Sequence, residues 1–163
     1  MSDIAIFPYT AADRDSVVKL AIEAWSGILD GTADEVPRFA YDAFYPDGWK
    51  VRQKADVRAF LASEPHHVWL AFRKQVLVGF VGIRLHSEDR MGEIYIIAVA
   101  PGHRRSGVAR QLMQVAQQHI QSAGMEMIMV ETIGDSGHAP ARRAYEAFGF
   151  EPWPVARYFK KIQ

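Results

Sequence analysis

Between a β-like run and a helix-like run lies the stretch 99–112, VAPGHRRSGVARQL, with three arginines and two glycines in fourteen residues. The first N–H groups of a helix have no partner within it, and the helix dipole favours negative charge there. Gly107 lets a ligand approach the backbone with no Cβ between them, and Ala109 keeps the next turn small. Arg104, Arg105 and Arg110 add positive charge around the same amides, with Ser106 and Val108 between them. The combination suits a pyrophosphate. The plain alternative is a Pro101-Gly102 turn whose arginines are solvated. No Gly-Lys-Ser/Thr occurs, so this is not a Walker A loop, and two glycines do not make a Rossmann fingerprint.

Composition bounds what such a loop serves. At 163 residues and 18.4 kDa the chain is expected to form one domain, residues 1–163. A hydrophobic share of 49% and a charged share of 23% match an ordinary globular protein. Nineteen basic residues balance nineteen acidic ones, which argues against nucleic acid or an anionic membrane as partner. Without cysteine there is no disulfide, thiolate nucleophile or Cys-zinc site. The histidines never fall at a ligand spacing, so no metal is expected. The first residues, MSDIAIFPYT, do not resemble a signal peptide, and no apolar run approaches the ~18 residues of a membrane span. A cytoplasmic protein is the resulting expectation, and homodimer formation is left open.

Hydrophobic periodicity supplies the elements that position the loop. Residues 3–9 alternate as a short strand, and Thr10 with Asp13 offers an imperfect capping box. Val17, Leu20, Ala21, Ala24 and Trp25 then mark a first helix. The stretch 26–50 is rich in Gly, Pro, Asp and aromatics, with a short helix expected over 37–45 and another over 51–63. Residues 67–73 and 75–86 read as a hairpin. Residues 92–100 (GEIYIIAVA) read as a strand covered on both faces. Val108, Leu112, Val115, Ala116, His119 and Ile120 make one apolar helical stripe that ends at Gly124, with His119 taken as a core residue. A buried strand over 125–132 completes a right-handed strand–helix–strand unit. A helix opening at Pro140 follows, and one or two closing strands are expected from 150 onward.

Two segments inside this order carry a family likeness. Arg104-Arg105-Ser106-Gly107-Val108-Ala109 resembles the Gln/Arg-x-x-Gly-x-Gly/Ala motif of the GNAT superfamily of N-acetyltransferases. Ala141 to Phe150, ARRAYEAFGF, is similar to that family's Ala-x-x-x-Tyr-x-x-x-Gly-Phe segment. The likeness runs over about 92–150. It implies a mixed α/β fold: a sheet of about seven strands, antiparallel at the front, with a central parallel pair splayed to admit acetyl-CoA, flanked by helices. It also implies that the strand over 92–100 bulges and parts from its neighbour. Ile97 and Val99 would then supply N–H groups, with Ala98 between them, to the pantetheine arm. His138 stands where the family often has Asn, and Arg142 and Arg143 lie near enough in sequence to join the cofactor-side arginines.

The implied reaction is acetyl transfer from acetyl-CoA to an amine-bearing acceptor in a ternary complex. Glu93, the sole carboxylate in its apolar strand, corresponds to the glutamate that relatives use as base; the alternative is a strand-end residue facing solvent. Glu131 and Asp135 are rival bases or amine anchors. Tyr145 corresponds to the family's donor to sulfur, and Ile97 N–H is the candidate oxyanion donor. The acceptor side would come from 25–49, where Trp25 and Asp30 stand among further carboxylates and aromatics. A polyamine, an aminoglycoside, an amino-acid-like metabolite, a toxin-like amine or a peptide N-terminus all fit. A non-catalytic acyl-CoA-binding domain is the alternative of another class. Gly134-Asp-Ser-Gly137 is a turn, because a chain without cysteine and too short for two barrels is no chymotrypsin-like protease.

Overall fold

A computed structural model describes residues 3–163. Five strands form one sheet in sequence order: β1 (Ile4–Pro8), β2 (Val68–Arg73), β3 (Val76–His86), β4 (Met91–Val99) and β5 (Met127–Val130). All neighbours are antiparallel except β4 and β5, which run parallel and are joined through α5 (Val108–Ser122). The helices α1 (Arg14–Trp25), α2 (Ile28–Glu35), α3 (Arg38–Phe44) and α4 (Trp49–Ser63) lie between β1 and β2, and α6 (Ala139–Phe148) follows β5. No helix among the described residues is long and apolar enough to cross a membrane.

Two apolar layers sandwich the sheet. Val17, Leu20, Ala21 and Ala24 of α1 pack with Val57, Phe60 and Leu61 of α4 on one face. Val108, Leu112, Met113, Ala116 and Ile120 of α5 cover the other, with Tyr145 and Phe148 of α6 beside them. Two glycines permit this closeness. A Cβ at Gly82 would stand 2.2 Å from the Phe60 ring, and one at Gly92 2.4 Å from Ile120. The β2–β3 hairpin turns through Lys74 and Gln75, both at positive φ.

A bulge in β4 decides which side chain faces which layer. Ile83 pairs with Ile94 but Gly82 pairs with Ile96, so Tyr95 is an extra residue on β4. Ile94 therefore packs under α5, while Ile96 and Ala98 pack under α1 and α4. The nearly continuous apolar run GEIYIIAVA thus meets both layers, Ile94, Ile97 and Val99 on the α5 side and Ile96 and Ala98 on the α1–α4 side. Tyr95 itself is 40% exposed.

Several expectations need correction. The described residues form five strands, not about seven. After Gly149, at φ +107° past the end of α6, residues 150–163 form no strand. Pro152 and Pro154 remove ladder donors there, and Trp153, Val155, Tyr158 and Ile162 are exposed. With no strand beyond it, β5 is an edge: it is shorter than the buried strand expected over 125–132, and Met127 is exposed. The irregular stretch 26–50 holds α2 in addition to the short helix expected. His119 is not in the core; it lies exposed on α5 and stacks on the Trp69 ring at 4.1 Å.

Candidate active site

The site is built where β4 leaves β5. The parallel ladder pairs Met91 to Ile94 with Met127 to Val130 and goes no further. The Ala100 N–H donates to Val78 O of β3. Because amide direction alternates along a strand, Ala98 and Ile96 also turn their N–H groups to β3, and Ile97 and Val99 turn theirs to the β5 side. Beyond Ile94 no strand among the described residues pairs with β4 on that side. The implied splay is therefore present, and its cause is local: the bulge at Tyr95 adds twist where pairing stops. The Ala98 amide faces away from the opening.

The opening leads to the loop before α5. Gly107 caps that helix at φ +87°, a left-handed conformation, and a Cβ built on it meets nothing within 4 Å. The space over the first α5 amides is thus open, with Val108 buried below and Ala109 half-buried. Ser106 Oγ donates to His103 O at 2.6 Å. Arg73 of β2, which nothing in its sequence context singles out, donates to Ser106 Oγ at 3.2 Å and to Asp3 at 2.8 Å, tying the loop to the hairpin.

The arginines divide into two groups. Arg104 donates to the Ala24 carbonyl in the last turn of α1, where a cation complements the helix dipole, and Arg142 donates to Ile133 O at 2.6 Å. Each of these two guanidinium groups is thus tied by one donor to a backbone carbonyl. Arg105, Arg110 and Arg143 are exposed, and their guanidinium groups form no ion pair among the described residues.

At the other end of the splay stands Glu93, with a side chain 18% exposed and Oε2 at 2.8 Å from His86 Nε2. It is neither a strand-end residue in solvent nor isolated: a histidine seven residues earlier in the chain holds it. Arg84 is its direct partner across the β3–β4 ladder, and the Arg84 guanidinium lies 3.7 Å from the centre of the Tyr95 ring. Tyr95 stacks in turn on Phe60 of α4 at 4.7 Å. His86, Arg84 and Tyr95 were not legible as site residues, because cross-strand register and the bulge bring them to Glu93.

Tyr145 is half-buried on α6 against the α5 layer, with its ring edge-on to Phe150 at 6.0 Å. Burial pushes its phenol above the usual tyrosine range, and its hydroxyl has no hydrogen-bond partner among the described residues. It remains a protonated donor.

The remaining acidic candidates are engaged elsewhere. Asp135 is buried: Oδ2 accepts from Thr32 Oγ1 at 2.5 Å, and Oδ1 accepts from the His138 N–H at 3.0 Å and faces His138 Nδ1 at 2.5 Å. Burial pulls its pKa upward, but the hydrogen bonds from Thr32 and His138 prevail and hold it below the ordinary value. Asp135 is thus an ionised tie between α2 and the start of α6, not an open base, and His138 is fixed at that helix start. Asp30 accepts from Trp49 Nε1 at 2.6 Å, and Trp25 packs on the α1–α4 core. Glu131 is exposed just past β5, 3.7 Å from Arg157. Asp135, Asp30 and Glu131 thus each have a partner other than Glu93. No group of three or more metal-binding side chains occurs among the described residues.

Comparison with known proteins agrees with this architecture. The GNAT acetyltransferase family profile matches residues 35–150. A mycothiol acetyltransferase of Thermobispora bispora is 30% identical over 103 residues, covering 60% of this chain and 34% of the relative. One from Rhodococcus opacus is 25% identical over 156 residues, covering 88% of this chain and 50% of the relative. The chain thus spans between a third and a half of the length of these relatives. Among solved structures, the PaiA N-acetyltransferase of Thermoplasma acidophilum in complex with coenzyme A superposes with a TM-score of 0.73 at 14% identity, covering 96% of this chain and 94% of that one. The acetyltransferase AAC(6')-Iy, bound to a CoA-based bisubstrate analogue, superposes at 0.67 and 18% identity, covering 99% and 100%. Shared motifs, splayed strands and fold lead to one statement: this chain belongs to the GNAT family of acetyltransferases.

Proposed function

We propose that the protein transfers an acetyl group from acetyl-CoA to a primary amine by direct attack in a ternary complex. The observation that carries this reading is the parting of β4 from β5 after Ile94, which leaves the Ile97 and Val99 amides unpaired by strand on the side that opens toward Gly107. The residues fit such a cosubstrate. Two strand amides suit an extended pantetheine arm, open space over Gly107 suits a pyrophosphate on the α5 amides, and Arg105, Arg110 and Arg143 are free to meet phosphate.

Acetyl-CoA supplies the activated thioester carbonyl; the chain supplies proton handling and charge stabilisation. A free alkylamine with a pKa of about 10.4 is neutral in only about one molecule in a few thousand at pH 7. Glu93 takes up the amine proton, directly or through water, while His86 fixes the orientation of its carboxylate. Base catalysis of this kind contributes about 10²–10⁴-fold. The Ile97 N–H donates to the carbonyl oxygen as it gains negative charge. The Tyr145 hydroxyl donates to the departing sulfur, a role its raised pKa and unpartnered state support.

An amine library assayed for acetyl-CoA consumption, with calorimetric CoA binding alongside, tests the reading. CoA binding with acetylation of at least one amine is expected. Binding without turnover of any amine would leave an acyl-CoA-binding domain, and absence of binding would remove the reading altogether.

A further inference from the structure

Glu93 and Arg84 are opposite charges directly across the β3–β4 ladder, yet they do not pair with each other. Glu93 is engaged by His86 at 2.8 Å. Arg84 is partly buried, and its guanidinium makes no hydrogen bond or ion pair among the described residues. It is held instead over two rings, 3.7 Å from the Tyr95 centroid and 5.4 Å from that of Phe60. Stacking fixes the plane of the guanidinium and leaves its N–H edge without an acceptor.

The other charges of the acceptor segment point the same way. Asp30 is taken by Trp49, Asp42 by Arg38 at 2.8 Å, and Glu35 by Ser136. Three of the five carboxylates of 25–49 are thus already engaged by the protein's own donors, and the other two, Asp34 and Asp47, lie exposed. What remains beside Glu93 is an unneutralised cation.

We infer that Arg84 anchors a carboxylate of the acceptor, so that the substrate class is an amine carrying a carboxylate close to the reacting nitrogen, as in an α-amino acid. This rests on the acetyltransferase reading above and deepens it. Directly opposed strand residues have Cβ atoms about 4.5–5.5 Å apart, so an anion and a cation side by side match the two ends of a zwitterion. The ammonium group meets Glu93, which takes its proton, and the carboxylate meets the guanidinium edge, where two parallel N–H donors fit two oxygens. Phe60 and Tyr95 form the apolar wall beneath.

The experiment compares L-amino acids with their own carboxamides as acceptors, in wild type, Arg84→Gln and Arg84→Lys. The carboxamides keep the amine, lose the anion and are more readily neutral, so chemistry alone favours them. For wild type we expect a kcat/KM on the best acids about tenfold or more above that on the matched carboxamides. Arg84→Gln should lose about tenfold or more on the acids, chiefly through KM, and little on the carboxamides. Arg84→Lys, which keeps the charge without the fork, should fall between the two. Calorimetric CoA affinity should be the same in all three proteins. Equal use of acids and carboxamides by wild type, or equal losses on both in Arg84→Gln, would overturn the assignment. Turnover confined to amines without an acid group would overturn it too while leaving acetyl transfer intact. Failure of acetyl transfer itself would appear differently, as no CoA binding and no acetylated amine of any kind.

Discussion

Glu93 Oε2 lies 2.8 Å from His86 Nε2, although the two residues sit on different strands joined by a tight connection. A carboxylate held by a ring nitrogen is oriented before any substrate arrives, which is what a base at the parting of β4 and β5 needs. Glu93→Gln should leave CoA affinity nearly unchanged and lower turnover at pH 7 by about 10²-fold or more. Raising the pH should restore part of the loss, because more of the amine is then already neutral. Steady-state rates across pH check this; wild-type turnover at every pH would move the proton to another acceptor.

Tyr145→Phe keeps the ring that packs beside Phe150 and removes only the donor. A thiol has a pKa of about 8.5 and a phenol about 10, and burial pushes this phenol higher still. The variant should melt close to wild type and bind CoA nearly as well. Its turnover should fall by about one to three orders of magnitude, or about 1.4–4 kcal/mol of barrier. Unchanged turnover would reduce Tyr145 to a packing residue.

Asp135 ties α2 to the start of α6 through Thr32 and His138. Burial opposes its ionisation and these hydrogen bonds favour it, with a net pKa below the ordinary value. A depressed carboxylate pKa contributes stability that is present above the unfolded value of about 3.9 and is lost as pH falls through the folded one. Asp135→Asn should therefore cost about 1–2 kcal/mol near neutrality. The gap in melting temperature between variant and wild type should narrow below about pH 4. Thermal melts from pH 7 to pH 2.5 decide it; a gap that does not change with pH would mean the charge of Asp135 contributes nothing.

Local patterns carried much of this fold. The stripe on α5 and the Gly107 cap are written in consecutive residues, and so is the motif before them. What could not be read depends on register. An extra residue at Tyr95 changes which layer Ile96 and Ala98 enter, and it sets Tyr95 beside Phe60. Pairing across β3 and β4 brings Arg84 and His86 to Glu93, and no spacing within either strand announces it. Glu35 and Asp135 looked free in the sequence because their partners, Ser136 and Thr32, lie about a hundred residues away in it. The closing strands expected after 150 did not form, since prolines at 152 and 154 leave gaps in any ladder.

The open space over Gly107 and the unpaired amides of β4 together make the claim that CoA binds here, and a calorimetric titration of CoA tests it most directly. Gly107 sits at φ +87° with nothing within 4 Å of a built Cβ, so Gly107→Val both strains the cap and fills the space where phosphate would lie. Gly107→Ala serves as the milder variant, and melting temperatures verify that both are folded. Wild type should bind CoA saturably, and folded Gly107→Val should bind at least about tenfold more weakly, a loss of about 1.4 kcal/mol or more. Wild type that takes up no CoA, or a folded Gly107→Val with undiminished affinity, would contradict the account.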